Sequence, residues 1–225
     1  MFFHNPKHNF IFVYTPLIIS AIPQNIRYYI LGGENIEVNQ YNETKNILPN
    51  HFCYSLDIKY AIGKKEWDKN YTFGIVRNPF DYMIEMYEFF TEGPSDRVAW
   101  CRGIREVKDA VKEQHRLKSR GFKKWMLEDK DYDYLHSSPF CGPRLTSQMI
   151  WLSEVEDVFC FEDSTPLLNK LFKVTQTTLP SFRGVPTKRE LQNKRANYYD
   201  QDNELIDLVA NSFKDEIDKF KFTVG

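Results

Sequence analysis

The stretch from Tyr71 to Phe90 constrains this chain more than any other. Tyr71-Thr72-Phe73-Gly74-Ile75-Val76 is a short apolar and aromatic run of the kind that fills a buried strand. It passes directly into Arg77-Asn78-Pro79 and then into Asp81 to Phe90, where Met83, Ile84, Met86, Tyr87 and Phe90 recur at helical spacing. A strand feeding a helix is the repeating unit of an α/β domain. The rest of the chain carries the same rhythm. Phe10 to Tyr14 reads as a strand closed by Thr15-Pro16, and Pro23 to Leu31 as a helix stopped by Gly32-Gly33. Ile36 to Tyr41 alternates like a second strand, and Asp57 to Gly63 suggests a helix. Arg97 to Lys124 is charge-rich and helical, Val155 to Phe161 is a third apolar strand, and Ser164-Thr165-Pro166 opens a helix through Phe172. Asp200 is the expected cap of the last helix, whose Leu205, Leu208, Val209, Phe213, Ile217 and Phe220 share one face. The expected fold is α/β, a single domain over residues 1–225 with a central, mainly parallel sheet flanked by helices. Ligands of such sheets bind at the carboxyl ends of strands.

Composition narrows the function classes. Hydrophobic residues at 42% and aromatics at 16% exclude a disordered chain. The 30 basic and 31 acidic side chains leave a net charge of −1, which argues against nucleic-acid binding through the overall field. Cys53, Cys101, Cys141 and Cys160 are far apart and form no C-x-x-C, so neither a zinc site nor a disulfide framework is expected, only reduced thiols. Pro6 and polar neighbours break the N-terminus before any signal-like run, and Phe10 to Ala21 is too short and polar to span a bilayer. These features predict a cytoplasmic protein with no membrane or nucleic-acid partner.

Two strand-to-helix junctions concentrate the candidate chemistry, Tyr14 to Asn25 and Val76 to Glu85. A helix N-terminus favours phosphate through its N–H groups and dipole. Arg77, placed where the strand ends, has two readings: a bidentate phosphate ligand, or a structural cation paired with Asp81 or a neighbouring carboxylate.

The segment Phe73-Gly74-Ile75-Val76-Arg77-Asn78-Pro79-Phe80-Asp81, with Tyr87 and Phe89-Phe90, resembles the strand–RNPxD–helix segment of PAPS-dependent sulfotransferases, particularly the carbohydrate branch. Three further blocks fit in order: Phe12-Val13-Tyr14-Thr15-Pro16, Val155 to Asp163 with its Phe161-Glu162 ending, and Arg195 to Phe222 with Tyr198-Tyr199-Asp200. The resemblance implies a P-loop-like domain in which residues 91–154 are a variable, mainly helical insertion on the acceptor side. It implies a nucleotide donor, PAPS (3′-phosphoadenosine 5′-phosphosulfate) with PAP as product, and a hydroxyl-bearing acceptor such as a glycan. It assigns Arg77 to the 3′-phosphate, Thr15, Gln24 and Asn25 to the 5′-phosphosulfate side, and Lys194 or Arg195, where a C-terminal loop closes over the nucleotide, to a further contact with the 3′-phosphate. His51 is the candidate general base, with Glu34, Glu37 and Glu43 as alternatives.

Two positions depart from that pattern. The family's loop lysine, which neutralises the bridging oxygen as sulfate leaves, is Leu17 here, and the following residues contain no Gly and no Lys. The family's phosphate-binding Ser is Glu85, a carboxylate. The sequence therefore carries competing expectations: a sulfotransferase acting by in-line displacement, a non-catalytic relative with a decayed cofactor site, or a protein using another anionic donor. The cations between Arg102 and Lys124 read as a solvated helix face or as a contact for an anionic glycan. Tyr28, Tyr29, Tyr87, Phe89 and Phe90 read as core rather than as an adenine platform.

Overall fold

The computed structural model describes residues 2–5, 7–13, 15, 54–102, 104–128, 145–176 and 186–225. The expected helix at Pro23 to Leu31 and strand at Ile36 to Tyr41 lie outside the described residues, as do Leu17, Gln24, Asn25 and His51. The chain divides into two compact units, Met1–Arg77 with Gln148–Val185, and Asn78–Ser147 with Pro186–Gly225.

The first unit is built on a mixed four-stranded sheet in the order β1 (Phe2–Asn5), β2 (Phe10–Val13), β3 (Tyr71–Val76), β4 (Asp157–Cys160). β1 runs antiparallel to β2, while the β2–β3 and β3–β4 pairs are parallel. The α/β class is thus observed, with two parallel ladders and one antiparallel. β1 is not legible in the sequence, because four residues beginning Phe-Phe-His-Asn become a strand only by pairing with β2. Its turn is made locally: the Asn5 Oδ1 accepts the His8 N–H at 3.0 Å, and Asn9 takes the left-handed conformation that asparagine tolerates.

β2 and the interior of β3 are buried on both faces, which is why each reads as a continuous apolar run. Phe73 sits at the centre, stacked on Phe12 at 4.9 Å and edge-on to Phe159 at 6.2 Å. Gly74 is required by close approach: a Cβ there would lie 2.3 Å from the Leu152 Cδ2. Leu152 ends a short 3₁₀ turn, Gln148–Leu152, that packs with helix α1 (Ser55–Ile62) through the Tyr54–Trp151 stack at 4.3 Å. A one-turn helix α2 (Lys64–Trp67) leads back into β3, and α6 (Thr165–Thr175) follows β4.

The second unit is helical. Its axis is α3 (Pro79–Glu92), with Pro79 at the first position and the Asn78 Oδ1 accepting the Phe80 N–H at 3.1 Å. Around it lie α4 (Ser95–Arg102), α5 (Val107–Glu128), α7 (Lys188–Tyr199), α8 (Asn203–Ser212) and α9 (Lys214–Phe220). The charged stretch expected as one helix is two, and α5 is itself interrupted at Gly121, whose φ of 77° only glycine adopts readily. Tyr87 packs on Phe122, Trp125 and Tyr198, so this part of the aromatic stripe is core. Asp200 is not an N-cap: it ends α7 in the left-handed conformation, and Asp202 caps α8 by accepting from the Glu204 and Leu205 N–H groups. The single C-terminal helix expected from the stripe breaks at the buried Phe213 into α8 and α9. Among the described residues no helix is long and apolar enough to cross a membrane.

Gly74→Ala is expected to cost about 1–3 kcal/mol through overpacking against Leu152. The pair Gly74→Ala/Leu152→Ala tests that origin. Chemical denaturation should show the double variant losing less than the sum of the two single losses.

Candidate functional site

The carboxyl end of β3 is where a parallel sheet presents ligand-binding groups. There the ladder ends at Val76, and the next residue's backbone is completed by a side chain. The Arg77 N–H donates to the Gln148 Oε1 at 2.9 Å, and the Gln148 Nε2 donates to the Arg77 carbonyl at 2.8 Å. The fully buried Gln148 thus satisfies both main-chain groups beyond the last strand pair. Thr15, buried just after β2, spends its hydroxyl on the Ile75 carbonyl at 3.0 Å.

The Arg77 side chain is only 2% exposed. Its guanidinium carbon stands 4.7 Å from the centre of the Phe161 ring, and its Nε is 3.9 Å from the Glu162 Oε1. An aromatic face and a carboxylate at ion-pair distance stand beside this buried cation, whose Nε makes no hydrogen bond among the described residues. The other oxygen of Glu162 accepts from the Cys160 Sγ at 3.0 Å. Burial first, then the charge of Glu162, pushes the Cys160 thiol up to about 12. This is the opposite of what a nucleophilic cysteine needs.

In the second unit the other described candidates, Glu85, Lys194 and Arg195, lie on or against α3. Asp81, Glu85, Glu88 and Glu92 fall at successive three- and four-residue steps and make an acidic stripe along that helix. Arg195, on α7, grips Asp81 bidentately, with Nε–Oδ1 at 2.8 Å and Nη2–Oδ2 at 3.1 Å. The two side chains are 7% and 1% exposed. The Arg195 Nη1 donates to the Thr223 carbonyl at 2.9 Å, and Asn78 donates to the same oxygen at 2.9 Å. One residue earlier on α7, the Lys194 Nζ pairs with the Glu88 Oε2 at 2.5 Å, and the Tyr198 hydroxyl donates to the Glu88 Oε1 at 3.1 Å. Burial pushes the Tyr198 and Tyr199 hydroxyls up, and the latter donates to the Phe80 carbonyl. Glu85, the half-buried second member of the stripe, falls between Asp81 and Glu88.

The structure therefore places Thr15 and Arg77 together at the sheet end, and Glu85, Lys194 and Arg195 together along α3. Sequence reasoning missed Gln148, whose signal is only a polar residue ahead of Met149-Ile150-Trp151-Leu152. It saw Phe161-Glu162 as a strand ending without seeing that both would contact Arg77. Two cations of α5 are held within the helix, Lys112 on Asp109 and Arg116 on Glu113, while Lys118 reaches Glu92 of α3 and Lys123 reaches Asp202.

Removing one partner of a buried pair strands the other's charge. Asp81→Ala should thus lower unfolding stability by about 3–5 kcal/mol, and Asp81→Leu combined with Arg195→Met should recover most of it in urea titrations. With its thiol near 12, Cys160 has about one ionised molecule in ten thousand at pH 8. Peptide-resolved alkylation at that pH should leave Cys160 unmodified until the protein is unfolded.

In comparisons with protein-family models, with curated proteins and with solved structures, nothing matches this chain, so its chemistry is read from its own residues.

Proposed function

We propose that the chain is a sulfotransferase-like protein that has kept the strand–RNPxD–helix framework and lost the cofactor chemistry, serving as a non-catalytic binding or assembly module. The observation that carries this reading is the pairing of the cations. Each cation that a PAPS site would use among the described residues is held by an internal carboxylate: Arg77 beside Glu162, Lys194 on Glu88, Arg195 on Asp81. In the second unit a phosphate would have to break the Lys194 and Arg195 pairs and approach Asp81 and Glu88 along the acidic stripe of α3. The described residues therefore do not fit a bisphosphorylated nucleotide. Two sequence departures point the same way: Leu17 replaces the lysine, and Glu85 replaces the phosphate-binding hydroxyl.

A second reading, PAPS-dependent sulfuryl transfer to a hydroxyl of a carbohydrate or other small acceptor on a P-loop-like domain, is favoured by one observation. Arg77 does stand at the carboxyl end of β3, between two parallel neighbours. Titration calorimetry with PAP separates the two. The proposed reading expects no heat of binding at millimolar PAP and no rise in melting temperature. Saturable binding in the micromolar range, abolished in a folded Arg77→Lys variant, would establish the enzyme reading instead.

A further inference from the structure

We draw no further inference here: the strongest candidate, the exposed apolar face that Leu56 and Tyr60 form one turn apart on α1, carries nothing because nothing in the structure shows what covers it.

Discussion

A guanidinium keeps its proton at any ordinary pH, so a buried arginine must have a carboxylate, an aromatic face or an acceptor beside it, and that constraint organises each unit of this protein. Arg77 is 2% exposed and Arg195 6%. Around the first stand Phe161, Glu162 and the Gln148 amide that completes its backbone. Around the second stand Asp81 and the main-chain oxygens of Thr223 and Val224. Such an arrangement gives little net stability over an apolar replacement, but it is costly to break at one partner. It fixes which side chains must meet, and so acts on specificity of packing more than on depth of the energy well.

That distinction explains what could be read from the residues. β2, β3 and α3 are legible because their information is local: a continuous apolar run for strands covered on both faces, then a stripe at helical spacing after Asn78-Pro79. The strand-end position of Arg77 follows from the same pattern. Its partners do not, because nothing in a local window links Arg77 to Gln148, 71 residues away, or Arg195 to Asp81, 114 residues away. β1 escapes notice for the same reason, being a strand only through its ladder with β2. The cap of α8 is Asp202 rather than the expected Asp200. The left-handed turn at Asp200 and Gln201 decides between them.

The charge pattern is also clearer in three dimensions than in sum. A balance of −1 conceals an acidic stripe on α3 whose Asp81 and Glu88 face two cations of α7. Residues that a cofactor site would turn outward, toward an anion, are turned instead toward carboxylates of the same chain. Glu85 falls between Asp81 and Glu88 on the same helix face.

Arg77 and Arg195 are each buried beside a carboxylate of their own unit. The most direct measurement follows their Nε–H resonances in ¹⁵N-labelled protein as PAP is added to millimolar concentration. For arginines buried in this way, signals whose positions do not move are expected. A saturable shift of the Arg77 or Arg195 resonance would contradict this expectation.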